Sequence, residues 1–210
     1  MKTFLSEIRS AVLATVALAV VCCGVYPLVV FGIGQALFPH KANGSLIVDA
    51  KGNIQGSRLI GQAFSADKYF HSRPSAAGNG YDATSSGGSN LGPTSQKLHD
   101  SIAQNVADYR AQNGLATNAP VPADAVTASA SGLDPHISPQ NAELQAPRVA
   151  KARGLTLEKV QALIAQHTDR ADFGLMGEPG VNVLELNLAL DAMGASNTST
   201  ASAQAQVTTR

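Results

Sequence analysis

The side chains best suited to binding chemistry fall in one short segment, from Glu143 to Arg153. If this segment is helical, Gln145, Arg148 and Lys151 follow at three-residue spacing and share one face. An amide that donates and accepts hydrogen bonds, beside two cations, can bind an anion or the edge of a purine. A solvated basic face has the same composition. The pattern therefore indicates nucleotide or partner binding, or a solvated face, and not catalysis.

Catalytic arrangements are poorly supported elsewhere. Ser129, Ser131, Asp134 and His136 contain the residue types of a hydrolytic triad. A nucleophile, its base and the orienting group normally converge from separate elements, and neither serine lies in a G-x-S-x-G turn. The 5 histidines are scattered and show no metal-ligand spacing. We therefore expect no catalytic residue and no metal site.

The glycine-rich stretch from Gly87 to Pro93 is similar to a phosphate loop only in its glycines. A P-loop places Lys and Ser or Thr after its last glycine, because the ammonium group must reach the phosphates. Here Pro93 stands in that place, so we interpret the stretch as a structured loop.

The charge balance limits the partners. The 210 residues contain 15 basic and 15 acidic side chains, and the formal net charge is zero. No large electrostatic field therefore favours nucleic acid. The two cysteines, Cys22 and Cys23, are adjacent and lie within an uncharged run, so the remaining chain can form neither a disulfide nor a cysteine zinc site.

That uncharged run, from Ala11 to Phe38, predicts an uncleaved transmembrane helix in contact with membrane lipid. Its length as a helix is roughly 42 Å, which exceeds the ~30 Å hydrocarbon core of a bilayer. Pro27 removes a backbone donor in mid-span and predicts a kink near Cys23. Three residues without side chains would allow close approach of a neighbouring helix: Gly24, Gly32 and Gly34.

The orientation of the span depends on few charges. Lys2 and Arg9 precede it, and Lys41 and Lys51 follow it. The closeness of Arg9 slightly favours a cytoplasmic amino terminus. We therefore expect a single-pass protein of the inner membrane whose soluble domain is periplasmic.

The segments after the span alternate between strand and helix patterns. Residues 45–49 and 54–62 predict a hairpin with Arg58 near the centre of its second strand, and residues 71–94 predict a long loop. Ser95 or Thr94 can begin a helix that ends at Gly114. Residues 125–129 then predict a short strand.

The carboxyl-terminal half is predicted to be mainly helical. Ser138 caps a helix that should break or bend near Pro147 and end at Gly154. Thr156 caps the next helix, and residues 181–193 fit a strand, a helix or one after the other.

The fold class predicted is a single N-terminal transmembrane helix followed by a small α/β (mixed α+β) soluble domain. We divide the chain into a flank (residues 1–10), the span (11–38), the soluble domain (39–193) and a disordered tail (194–210).

Several long segments resemble one family, the C subunit of the Kdp-type potassium-transporting ATPase. They include L-I-G-Q at 59–62, Y-F-H-S-R-P-S-A-A at 69–77, S-G-G-S-N-L-G-P-T-S at 86–95, P-R-V-A-K-A-R at 147–153 and V-N-V-L-E-L-N-L-A-L at 181–190. The similarity includes the anchor and extends to about residue 193.

The resemblance implies a non-catalytic accessory subunit of an ATP-driven, high-affinity potassium import complex. Its implied partners are a channel-like potassium-binding subunit, a P-type ATPase subunit and a small accessory subunit. The family's C chain is described as a catalytic chaperone that raises the ATP affinity of the ATPase subunit through a ternary complex with ATP, with no covalently bound cofactor. A periplasmic domain would not meet cytoplasmic ATP, so assembly and direct ATP contact remain two alternatives. A membrane-anchored extracytoplasmic binding or scaffold module with no ATP role is the third.

Overall fold

The computed structural model describes residues 2–171, 174 and 176–194. The chain divides into two compact units, Met1–Ser57 and Arg58 onward. The hairpin therefore belongs with the span, although we expected the soluble domain to begin at residue 39. Most of the tail that we predicted to be disordered, residues 195–210, lies outside the described residues.

The first unit begins with a helix, Phe4–Leu37, that is long and apolar enough to cross a membrane. It consists of α1 (Lys2–Ala19), a π-helical turn (Val20–Val25) and α2 (Tyr26–Leu37). Pro27 lies in the first turn of α2, and a proline ring collides with the carbonyl four residues earlier, here that of Cys23. We predicted a kink near Cys23, and the wider π-helical turn includes that residue.

A short helix, α3 (Pro39–Ala42), connects the span to an antiparallel hairpin of β1 (Leu46–Val48) and β2 (Ile54–Ser57). The predicted second strand was wrong beyond Ser57. Arg58 begins the second unit, where its carbonyl accepts a hydrogen bond from Asn182 Nδ2 at 2.9 Å. The chain is thus bonded to the soluble core at the point where the sequence pattern suggested that β2 would continue.

In its described residues the second unit contains four α-helices: α4 (Gln96–Asn113), α5 (Pro139–Arg153), α6 (Leu157–Gln166) and α7 (183–194). Ser95 caps α4, and Gly114 and Gly154 end α4 and α5 with φ of 64° in both cases, as predicted. We predicted that α5 would break or bend near Pro147, and the helix continues past this residue without a break. Pro147 is exposed while Ala146 and Val149 are buried, so core packing on the opposite side holds the helix together.

Three short strands form an antiparallel sheet in the order β3 (His136–Ile137), β5 (Gly180–Asn182) and β4 (Thr168–Asp169). The strand predicted at residues 125–129 was wrong. A 3₁₀ turn, Ala123–Ala125, occupies its beginning because Asp124 turns inward to bind Ser138, and only Ser129 makes a strand-like bridge, to Ser75. The ambiguous segment near the end forms β5 and then α7.

The core lies between α5, α6, α7 and the sheet. Fully buried apolar side chains of this core come from all of these elements and from the segment just before the long loop: Phe70, Ile137, Val149, Val160, Val181, Val183, Leu186 and Leu190. These findings confirm the predicted fold class, an apolar amino-terminal helix followed by a mixed α+β domain.

Candidate functional site

Helix α5 is fixed at its start by a carboxylate and a hydroxyl. Ser138 Oγ accepts a hydrogen bond from Asn141 N at 3.1 Å, and Asp124 accepts bonds from Ser138 N, Ser138 Oγ and Asn141 Nδ2. Burial raises the pKa of Asp124, but these bonds outweigh it and leave that pKa below its ordinary value. Asp124 is therefore an ionised anchor that positions the helix carrying the candidate residues.

Gln145 is the most deeply buried of those candidates, with 1% of its surface exposed. Its Oε1 accepts hydrogen bonds from His71 N and from Arg148 Nη2, both at 2.8 Å. Its Nε2 donates to His71 O at 3.1 Å and to Asn141 Oδ1 at 2.9 Å. All four hydrogen-bonding positions of the amide are thus filled by the chain itself.

Arg148 is half-buried and bonds to the same loop. Its Nη1 donates to Asp67 O at 2.6 Å and to Tyr69 O at 3.0 Å, and its Nε donates to Asn113 Oδ1 at 3.0 Å. Burial lowers the pKa of the guanidinium, with the Asp67 carboxylate opposing that shift, and arginine nevertheless stays charged in proteins. Arg148 therefore joins α4, α5 and residues 66–71, which we call the strap.

Arg153 holds the strap one turn further along α5. Its Nε donates to Lys68 O at 2.6 Å, its Nη2 donates to Asp191 Oδ1 at 2.9 Å, and its guanidinium lies 5.0 Å from the centre of the Tyr69 ring. The Tyr69 hydroxyl donates to Asp191 Oδ2 at 3.0 Å. Lys151, the third candidate, is exposed.

The strap is also bonded from α7. Asn187 is fully buried, and its side-chain amide accepts from Phe70 N at 2.8 Å and donates to Phe70 O at 3.0 Å. The Phe70 ring fills the core. Backbone groups of consecutive strap residues are thus bound by the side chains of Arg153, Arg148, Asn187 and Gln145, much as a neighbouring strand would bind them.

His71 ends the strap and lines the first of two clefts. Its Nε2 donates to Ala66 O and its Nδ1 accepts from Gln112 Nε2, both at 3.1 Å, which one neutral tautomer satisfies. Burial lowers the pKa of His71, and the neighbouring Arg148 cation lowers it further. Gln112 borders both clefts.

The two clefts differ in the charge of their walls. The first, of 390 Å³, is polar and includes Tyr109 and Asn141. The second, of 530 Å³, includes Asp67, Arg148 and Lys151. Burial, together with the Asp124 carboxylate, raises the pKa of Tyr109, so its hydroxyl keeps its proton and donates to Asn141 Oδ1 at 2.8 Å. The second cleft is the place where an anion would meet both predicted cations.

Comparison with known sequences identifies the family. A family profile described as "KdpC: K+-transporting ATPase, c chain" matches residues 8–192. The chain belongs to the KdpC family. A protein of Koribacter versatilis is 53% identical over 182 residues, which cover 87% of this chain and 92% of the relative. A protein of Acidobacterium capsulatum is 56% identical over 189 residues, covering 90% of this chain and 100% of the relative. Both are named "Potassium-transporting ATPase KdpC subunit".

The triad-like residues of this KdpC chain have other bonding partners. Ser129 Oγ accepts from the backbone N of Ser131 and of Gly132, both at 3.3 Å. The His136 ring nitrogens face two carboxylates, Asp169 at 3.1 Å and Asp134 at 3.9 Å. Within the described part of the chain, no group of three or more His, Cys, Asp or Glu side chains is arranged to hold a metal ion.

The sequence analysis singled out the segment that forms α5 but missed the strap that its side chains bind. The available signal was Asn187, a polar residue in the middle of an apolar run, L-E-L-N-L. A buried asparagine there requires hydrogen-bonding partners, and a loop backbone supplies them.

Proposed function

We propose that this chain is a non-catalytic accessory subunit of an ATP-driven potassium import complex, and that it stabilises the assembly from the membrane. Its partners would be the channel-like potassium-binding subunit, the P-type ATPase subunit and the small accessory subunit. The family membership and the names of the relatives support the complex, and the apolar helix supports a membrane anchor.

The observation that carries the assembly role is the use of Gln145 and Arg148 within the chain. Their hydrogen bonds hold the strap on α5, so a nucleotide could take them only by displacing the backbone of residues 67–71. An effect of this subunit on ATP affinity would then be indirect, transmitted through its contact with the ATPase subunit.

Direct ATP contact has one supporting observation, the 530 Å³ cleft beside Arg148 and Lys151. Lys151 separates the alternatives because its side chain is exposed and lines this cleft. We expect Lys151→Ala to leave unchanged the ATP concentration for half-maximal potassium-stimulated ATPase activity. The matched control is Lys159→Ala, on the exposed face of α6.

A several-fold increase of that ATP concentration in Lys151→Ala alone, with subunit recovery unchanged, would favour direct contact. Arg148→Ala should instead lower the recovery of intact complex, while the complex that survives keeps normal ATP dependence. An extracytoplasmic scaffold with no role in this pump would co-purify with none of the proposed partners.

The soluble unit is proposed to lie in the periplasm, anchored through the inner membrane, because Arg9 stands close to the start of the span. In a background with Cys22 and Cys23 replaced by Ala, an Ala162→Cys label site is exposed on α6. We expect it to react with a membrane-impermeant thiol reagent in intact cells. Reaction only after lysis would place the domain in the cytoplasm.

A further inference from the structure

The hairpin after the span presents an apolar face with no core behind it. Leu46 and Val48 are two residues apart on β1 and so share one side of it. The register shifts between Ile47 and Val48, and beyond this shift Ile54 lies directly opposite Val48 on β2, on the same side. They are 40%, 52% and 64% exposed. We call them the apolar hairpin face. Isolated exposed aliphatic residues are ordinary, but three that share one face of a two-stranded hairpin indicate a surface that is covered.

The connection to the span is short and hydrogen-bonded throughout. Ala42 folds back beside α2, where its Cβ would lie 3.8 Å from a Cβ placed on Gly34. The side-chain amides of Gln35 and Asn43 bond to each other at 3.3 Å. His40 Nε2 bonds to Leu46 O at 3.3 Å, which attaches β1 directly to this turn.

These contacts set the depth of the hairpin relative to the span. Arg9 is the last charged residue before the helix core, and the helix from there to Leu37 is roughly 42 Å long. That length matches the ~40–45 Å of a bilayer including its headgroups. Because the chain returns beside Gly34, a helix that spans this thickness would leave the base of β1 at the depth of the headgroups.

We propose that the apolar hairpin face lies on the lipid bilayer, inserted where the headgroups meet the acyl chains. Three aliphatic side chains cover far less than the roughly 800 Å² per partner of a stable protein interface, whereas lipid requires no matching shape. Lys41 and Lys51 flank the face and suit anionic headgroups. The carboxylate between these two lysines, that of Asp49, bonds within the turn instead, where it accepts hydrogen bonds from Lys51 N and Asn53 N.

The test measures the depth of spin labels in the assembled complex, reconstituted in vesicles of phosphatidylethanolamine and phosphatidylglycerol. In the chain with Cys22 and Cys23 replaced by Ala, labels are placed by Val48→Cys, by Ile54→Cys and, as an aqueous control, by Lys159→Cys. Oxygen concentrates in lipid and a nickel chelate stays in water. We expect the ratio of oxygen to nickel collisions to be several-fold higher at both hairpin positions than at Lys159.

Two results would overturn the proposal. Nickel access equal to that at Lys159 would place the face in water, and exclusion of both reagents would show that a protein subunit covers it. The measurement can be repeated on the full chain alone in the same vesicles, so a failure of the chain to assemble with the proposed subunits is distinguished from a failure of the hairpin to enter lipid.

A second experiment tests the apolar hairpin face with a label placed outside it. Lys51→Cys carries the probe at the turn, and Leu46→Ser, Val48→Ser and Ile54→Ser are introduced together. If the face holds the hairpin in the bilayer, the triple change should raise nickel access at position 51 several-fold. Unchanged access would contradict the proposal, and circular dichroism checks that the helices are retained.

Discussion

The α5 helix and the transmembrane helix both carry residues that stand out in the sequence, but those residues find their partners in different places. Gln145 and Arg148 bind backbone and side chains of their own chain. Apart from their chain neighbours and the nearby backbone of their own helix, Gly24 and Gly32 have no described atom within 4 Å of where a Cβ would lie. Residues such as Gln145 and Arg148, which bind groups of their own chain, stabilise its fold. Residues such as Gly24 and Gly32, which lack such contacts, are available to lipid or to another subunit.

The largest expected effect follows from removing Arg148. In Arg148→Met the aliphatic volume stays, but the carbonyls of Asp67 and Tyr69 and the Oδ1 of Asn113 lose a charged donor. We expect the free energy of unfolding to fall by about 3 kcal/mol, which lowers Tm by roughly 6–12 °C in a chain of this size. Thermal unfolding of the full chain in detergent, followed by circular dichroism, measures it.

Lys151→Met is the matched control for Arg148→Met, because Lys151 lies on the same helix and is exposed. It should change the free energy of unfolding by no more than about 0.5 kcal/mol. If both variants lost the same free energy of unfolding, the contacts of Arg148 with the strap would contribute no special stability. The contrast between α5 and the span would then fail.

The span offers the opposite test, in which assembly changes and the lone chain does not. Gly24→Leu and Gly32→Leu would each block close approach of a neighbouring helix. We expect recovery of the intact complex to fall about tenfold, which corresponds to about 1.4 kcal/mol of association free energy. The Tm of the isolated chain should not change. Recovery is measured by purification through a tag on another subunit.

Gly34→Leu sharpens this comparison within one helix. A Cβ on Gly34 would meet Ala42 of the same chain at 3.8 Å, so the larger side chain should disturb the turn after the span. We therefore expect a lower Tm of the isolated chain for Gly34→Leu alone. If all three variants assemble at the wild-type yield, the span is only an anchor.

The sequence predicted the elements whose signals are local. Ser95 and Ser138 as caps, Gly114 and Gly154 as stops, and the uncharged span all act within a few residues of where they stand. The family resemblance was confirmed by the comparisons. The position of Gln145 and Arg148 on one helix was also predictable, because helical spacing is a local property.

What could not be predicted depended on contacts far apart in the chain. Gln145 bonds His71, and Asn187 bonds Phe70, across separations that no periodicity records. The end of β2 at Ser57 was missed for the same reason. No local sequence pattern indicates that Asn182 donates a hydrogen bond to the carbonyl of Arg58. Tertiary hydrogen bonds override strand propensity when the strand is short.

A smaller effect is expected from pH, through His71. Its pKa is lowered by burial, with Arg148 lowering it further and the bond to Ala66 O and the Asp67 carboxylate opposing. A base whose folded pKa is depressed gives stability that is complete above its unfolded pKa, about 6.5, and is lost as pH falls below that value. Protonation would also cost Nδ1 its bond from Gln112 Nε2.

We therefore expect the wild-type chain to lose more unfolding free energy between pH 7.5 and 5.5 than His71→Gln does. Urea unfolding at both pH values measures the difference. Equal pH dependence in the two chains would show that His71 is not the titrating group that holds the strap.

The smallest effect concerns an exposed ion pair and tests whether bonding within the chain stabilises without burial. Arg58 and Asp169 form a salt bridge with side chains 44% and 45% exposed, whereas Arg153, bonded to Asp191, is only 9% exposed. A double-mutant cycle with Arg58→Gln and Asp169→Asn should give a coupling free energy below about 1 kcal/mol, because water screens both charges. Molar salt should abolish it, since the Debye length falls to about 3 Å.

The same cycle with Arg153→Gln and Asp191→Asn should give a larger coupling that persists in salt, because the guanidinium is shielded by the Tyr69 ring. Equal couplings would mean that burial is not what separates architectural cations from surface ones in this chain.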